Sequence, residues 1–306
     1  MAGITGKDEV LSQYAQKLET LDAPKGRSLT QDALRRLARN KAAVISIAIV
    51  IFIILAAFIG PHFVPWSYSE VDWTAIRKPP NFDKAHYFGT DQNGRDMLAR
   101  VLQGTQMSLI VAAVATVVSV VIGIIYGAVA GYLGGRVDAL MMRFVDVMYA
   151  LPYILFVIIL VVMFGRNPVL LFVGIGAIEW LTMARIVRGQ TLSIKEREFV
   201  EAARAGGAKP WTIITRHIVP NLTGPVVIYA TLTIPEIIIA ESFLSYLGLG
   251  VQEPQTSLGT LISAGAPVAE VLPWMLLAPA TVLVTLLLCL TYIGDGLRDA
   301  LDPKDR

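Results

Sequence analysis

"EREFVEAARAGGAKPWTIITRHIVPN" (residues 196–221) is a charged run inside a greasy chain. Its first ten residues have helical composition, and Phe199, Ala202 and Ala203 form a small apolar face. Gly206 and Gly207 stop that helix, as glycines do at helix C-termini. Trp211, Ile214 and Ile218 mark a second short helix, and Pro220 closes the run. The stretch therefore reads as a polar helix–turn–helix set between long apolar blocks. Its use depends on what those blocks are and on which side of them it lies.

Of the 306 residues, 55% are hydrophobic and only 16% are charged, against about 25% charged in a soluble domain. The apolar residues fall into six blocks, at 42–59, 108–132, 144–164, 168–187, 225–247 and 274–293. A helix rises about 1.5 Å per residue, so about 20 apolar residues cross the hydrocarbon core. The first block follows some forty residues of polar sequence and is too long for a signal-peptide core, so it is predicted to be a span. The chain is predicted to be an all-α membrane protein with six transmembrane helices. A net charge of +2 leaves no footprint for nucleic acid. The single cysteine, Cys289, lies in the last block and reads as a small packing residue.

Six spans place both termini on one side, and Lys and Arg accumulate on cytoplasmic loops. The N-terminal tail carries eight, the second connection two, the fourth connection with its helix ends seven, and the C-terminal tail three. The three connections on the other side carry five, one and none. Both termini and the opening stretch are thus predicted to be cytoplasmic. The order along the chain is a tail at 1–41, a first span at 42–60 and an outer loop with its lead-in helix at 61–107. A five-helix core at 108–293 contains the polar loop 196–221, and a tail follows at 294–306. Within the first tail, "SLTQDALRRLARNK" reads as an amphipathic helix lying along the membrane surface. Leu34 and Leu37 share one face, Arg35, Arg36 and Arg39 lie elsewhere, and Thr30 is the predicted N-cap.

The second span carries Ala115, Ser119, Gly123, Gly127 and Gly131 at every fourth position. That stripe lets another backbone approach closely, and Gly123, Gly127 and Gly131 are predicted helix-packing residues. Pro152 and Pro235 are predicted to kink the third and fifth spans. Ionisable residues at membrane depth are costly, which makes Glu179, Glu236 and Glu241 candidates for lining a translocation path. Five residues turn a helix by about 140°, so Glu236 and Glu241 do not share a face. The competing reading for each is a hydrogen-bonded packing residue.

No G-x-x-x-x-G-K-[ST] loop is present: in "AGGAKPWT" Lys209 precedes a proline, and "GTDQNGRD" lacks the lysine. There is no HExxH, and His62, His86 and His217 all fall outside the spans, so no catalytic set exists at depth. His62 and His86 could meet in the first outer loop as a metal pair, but exposed loop histidines are common and no carboxylate cluster accompanies them, so no metal site is predicted. No catalytic residue and no cofactor are assigned to this chain.

Glu201-Ala202-Ala203, then Gly207, then Ile218-Val219-Pro220 resembles the EAA loop of ABC importer permeases. The general pattern ends with Ile, a spacer and Leu-Pro, where this chain has His217 and Val219. The His-Ile-x-Pro-Asn variant is similar to the dipeptide/oligopeptide branch. "FGTDQNGRDMLARVLQGTQMSL" (88–109), "DVMYALP" with Asp146 and Pro152, "ARIVRGQTLSIKEREFVEAAR", "AESFLSYLGLG" (240–250) and "GDGLRDALDP" (294–303) resemble the same branch and its shorter, C-type subunit. The resemblance covers nearly all of residues 30–303. It implies the type I ABC importer permease fold in a prokaryotic inner membrane. It also implies a heterodimer with a second permease subunit, an extracytoplasmic binding protein, and two cytoplasmic ATPases that carry ATP and Mg. Glu201, Ala202, Ala203, Arg204, Gly207 and Pro220 would then belong to the ATPase-coupling loop. A nickel or other small-solute importer has the same fold. An ATP-independent transporter has no use for the EAA-like loop.

Overall fold

The computed structural model describes residues 29–301, except positions 84 and 165–167. The basic residues counted before 29, together with Lys84, Arg166, Lys304 and Arg306, lie outside the described residues. Among the described residues there are eleven α-helices, numbered in chain order. They are α1 (Leu29–Arg39), α2 (Lys41–Ile59), α3 (Met97–Leu133), α4 (Gly135–Ala150), α5 (Tyr153–Phe164) and α6 (Pro168–Ile194). They continue as α7 (Glu198–Ala205), α8 (Pro210–Ile213), α9 (Thr223–Tyr246), α10 (Leu258–Gly265) and α11 (Pro273–Leu301). No strand occurs among the described residues, only isolated β-bridges in the loop before α3. A helix satisfies its own backbone polar groups, which hydrocarbon requires. Among the described residues, four continuous helical runs are long and apolar enough to cross a membrane: Lys41–His62, Met97–Leu133, Pro210–Tyr246 and Pro273–Leu301.

Capping fixes where the helices start. Asn40 separates α1 from α2, and its Oδ1 accepts from the Ala43 N–H at 3.2 Å. Thr30 lies within α1 and is not its cap. Asp96 accepts from the Ala99 N–H at 2.8 Å and starts α3 at Met97, well ahead of the predicted block. The extra turns carry Arg100 and Gln103, which the loops before α3 and α10 cover.

The two prolines behave differently. The predicted third span is not one helix: α4 ends at Ala150, Leu151 is extended (φ −80°, ψ 131°), and α5 starts at Tyr153. Pro152 disfavours the helical conformation of the residue before it, which breaks the run outright. Pro235 instead sits buried inside an α9 that continues past it. α10, between the fifth and last apolar blocks, is an element that the sequence reading missed. Ser257 and Thr260 close a capping box at its start.

α3 and α6 form the closest pair in the bundle. A Cβ on Gly123 would meet Met183, one on Gly127 would meet the Ala184 carbonyl and Val187, and one on Gly131 would meet Thr191 and the Arg188 carbonyl. The small-residue stripe therefore faces a helix of the same chain. A central apolar cluster joins α2, α3, α6, α9 and α11 through Val50, Val111, Ala115, Ile175, Ile237 and Leu286. A second gathers at the end of α3 and α6 that meets the polar loop.

Candidate functional site

The polar loop is rooted on one side and open on the other. α7 ends in a Schellman turn: the Ala208 N–H donates to the Ala203 carbonyl at 3.1 Å, and the Gly207 N–H donates to Arg204 at 3.0 Å. Gly207 has φ +79°, a conformation that costs a residue with a Cβ but not glycine. Val200, not Phe199, is the buried anchor of α7. It joins Ile194, Ile213, Ile214, Ile218 and Leu222 in the cluster that also holds Met183, Val187 and Ala128 of α6 and α3. Glu201, Ala202, Arg204, Gly207 and Pro220 are exposed and Ala203 is half-buried. Phe199 remains partly open against the ring of His217, 6.4 Å between centroids, and Trp211 is exposed.

Pro220 does not close the run. After α8 the chain takes a π-turn at Ile214–Ile218 and a 3-10 turn at Val219–Leu222, and then enters α9 without leaving the helical path. The wider π-turn and tighter 3-10 turn change the backbone spacing just where the proline has no N–H to give.

Below the glycine contacts, Arg188 grips Asp138 of α4 with two bonds, Nε to Oδ1 at 2.5 Å and the second guanidinium nitrogen to Oδ2 at 2.6 Å. Higher on α6, Arg185 pairs with Asp146 at 2.9 Å and lies over the Tyr149 ring at 4.1 Å. Tyr149 and Thr182 share a hydrogen bond. Glu179 is half-buried about one turn from Thr182. Glu236 of α9 is exposed and close enough to Glu179 to interact electrostatically. Both carboxylates lie roughly 20 Å along their helices from the polar-loop end. Glu241 is held apart from them. It is fully buried and accepts from Ser108 at 3.0 Å and Ser245 at 2.6 Å.

The other end of the bundle carries a charge network that sequence reading missed. Asp91 is buried and accepts from Arg95 Nε at 2.9 Å and from Arg100. Arg95 also reaches Glu253 at 2.7 Å, in the loop before α10. That hydrogen bond holds the Glu253 carboxyl below the usual carboxylate range. His86 is not an exposed loop histidine. It is 1% exposed, with Nδ1 at 2.9 Å from Asp96 and Nε2 at 3.5 Å from Asp72, and it stacks on Trp66. "GTDQNGRD" holds Asp91, Arg95 and Asp96, so the motif was visible, but Asp72 and Glu253 are brought in by the fold alone. Among the described residues no group of three or more His, Cys, Asp and Glu is placed to hold a metal ion.

Comparison with known proteins gives a consistent answer. Residues 119–306 match the family described as "Binding-protein-dependent transport system inner membrane component". Residues 28–80 match the "N-terminal TM domain of oligopeptide transport permease C". The chain is 53% identical over 298 residues to the oligopeptide transport system permease protein OppC of Escherichia coli (strain K12), covering 97% of each. It is 44% identical over 302 residues to the dipeptide transport system permease protein DppC of Bacillus subtilis (strain 168), covering 98% of this chain and 94% of that one. A chain of the MetNI methionine ABC transporter in an inward-facing conformation shares the fold, with a TM-score of 0.55 at 18% identity over 67% of this chain and 98% of that one. An exposed loop rooted in the bundle through Val200, on a helical chain with these relatives, has one family explanation: the protein belongs to the binding-protein-dependent transport system inner membrane components, the permeases of ABC importers.

Proposed function

We propose that this chain is one transmembrane half of an ATP-driven importer of short peptides, working by alternating access. The names of its relatives support the peptide substrate. Its six spans are α2, α3, the broken pair α4–α5, α6, α9 and α11, with both ends of the chain in the cytoplasm. The excess of Lys and Arg on that side supports the orientation. A second permease subunit completes the pore, and an extracytoplasmic binding protein delivers the peptide. Two cytoplasmic ATPases hold ATP and Mg, and this chain has no catalytic role.

One observation carries the coupling role. α7 exposes Glu201, Ala202 and Arg204, while Val200 on its other side sits in the same apolar cluster as Val187 of α6 and Ala128 of α3. A force on the exposed face is therefore passed toward the glycine-packed helix pair through that shared cluster. Glu201, Ala202, Ala203, Arg204, Gly207 and Pro220 form the surface that an ATPase grips. ATP binding then shifts the spans only by the difference in contact energy between their two states.

For the path, the exposure of Glu236 is the relevant fact. A carboxylate at mid-bundle facing hydrocarbon is costly, so Glu236 and its neighbour Glu179 line water or the partner subunit. Glu241 has the surroundings of a packing carboxylate.

The test replaces Gly207 by Asp and Glu201 by Lys in the assembled transporter. Both variants are expected to reach the membrane at normal levels, lose peptide uptake and lose stimulation of ATP hydrolysis by the binding protein. Normal uptake by both would overturn the coupling role.

A further inference from the structure

We infer that α1 is a binding surface for anionic phospholipid headgroups, tied mechanically to the end of α11. α1 ends at Arg39, Asn40 makes the turn, and α2 starts at Lys41, so the basic end of α1 lies at the boundary of the first span. The helix is held there by its inner face. Ala33 is buried, and Leu37 lies where a Cβ on Gly296 of α11 would come within 3.3 Å of its Cδ1.

At about 100° per residue, two strips of α1 lie beside that inner face, and Asp32 also falls on the second. Leu34 and Ala38 form one, about 60° and 100° round from Leu37, and Arg35 and Arg39 form the next, about 60° to 100° further on. Leu34 is 70% exposed, a high value for a leucine on a helix already packed on one side. Arg35 and Arg39 are exposed, and no ion pair joins either to a carboxylate among the described residues. Lys41 adds a further exposed cation two residues on, and the first turn of α2 exposes Val44 and Ile45. An apolar strip bordered by arginines, level with the start of a span, fits the plane where acyl chains meet headgroups. Three exposed cations in seven residues select phosphate headgroups without a compensating choline or ethanolamine charge. The packing on Gly296 links the occupancy of this surface to the last helix of the bundle.

This inference does not rest on the peptide reading. Leu34→Cys in a Cys289→Ser background, labelled with bimane, is placed in nanodiscs of phosphatidylcholine and phosphatidylglycerol at 70:30 as the full chain. Brominated phosphatidylglycerol is expected to quench the label at least twofold more strongly than brominated phosphatidylcholine at equal mole fraction. Arg35→Gln with Arg39→Gln should bring the two to parity. A Val44→Cys label is quenched by both lipids in every variant if the span is inserted, which separates loss of the preference from loss of the fold. Equal quenching in the parent, a preference that survives the double substitution, or no quenching by either lipid at position 34 would each overturn the assignment. The last outcome means that α1 faces water or protein.

Discussion

The Ser108 hydroxyl donates a 3.0 Å hydrogen bond to the Glu241 carboxylate and so joins α3 to α9 inside the bundle. The same hydroxyl accepts from the Leu258 N–H at 3.3 Å, at the first turn of α10. One buried carboxylate thus organises three helices, with Ser245 adding a donor at 2.6 Å. Glu241→Gln keeps the shape and most of the bonds, and is expected to cost about 1 kcal/mol of stability. Glu241→Ala leaves a cavity and unpartnered hydroxyls, and is expected to cost about 2–4 kcal/mol. Thermal unfolding of the purified chain in detergent distinguishes them. Equal losses would mean that the serines do not depend on the carboxylate.

The glycine contacts make a second, sharper comparison. A Cβ at Gly127 would meet the Ala184 carbonyl and come within 2.9 Å of the Arg188 nitrogen, and backbone cannot rotate away. Gly127→Ala is expected to push α3 from α6 and cost about 1–3 kcal/mol. Gly189, on α6 itself, has nothing within 4 Å. Gly189→Ala should be neutral or stabilising by up to about 1 kcal/mol, because alanine is the better helix former. A shift of the same sign in both variants would refute the contact argument.

The Arg188–Asp138 pair depends on a fork geometry that lysine lacks. A double-mutant cycle of Arg188→Lys with Asp138→Asn should return a coupling of about 1–3 kcal/mol. A coupling indistinguishable from zero would show that α4 is held by its other contacts.

Acid should loosen the far end of the bundle. The bond from Arg95 lowers the folded-state pKa of Glu253. A depressed carboxylate contributes stability above its unfolded pKa and loses it as the pH falls through the folded value. The gap in melting temperature between the parent and Glu253→Gln should therefore narrow on acidification below the ordinary carboxylate range and stay constant above it. The effect should be small, because the Glu253 side chain is 66% exposed. A gap that widens with acid would reverse the assigned role.

Apolar blocks and glycine stops are local signals, and they are what single-sequence reasoning could see. Gly206 and Gly207 end α7 because a left-handed residue terminates a helix whatever surrounds it. Pro152 and Pro235 carry the same local signal, yet one breaks the helix and the other is absorbed, because Pro235 is packed inside the bundle. Phase in an eight-residue helix is also weakly determined, which hid Val200 behind the more conspicuous Phe199. Arg95 and Glu253 are 158 residues apart, and nothing local announces their pairing. His86 read as exposed because its two carboxylates arrive from positions ten and fourteen residues away through a folded loop.

The π-turn at Ile214–Ile218 has a consequence for the helix that follows. One residue advances an α-helix by about 100°. A single-residue deletion in the π-turn would be absorbed by its conversion to ordinary helix, whereas one in the first turns of α9 would rotate the rest of that helix against its neighbours. Glu236 would leave its open position and Glu241 would leave its serines in the same movement. The turn thus acts as a spacer that stores one residue of chain length, and a one-residue deletion is tolerated better there than within α9.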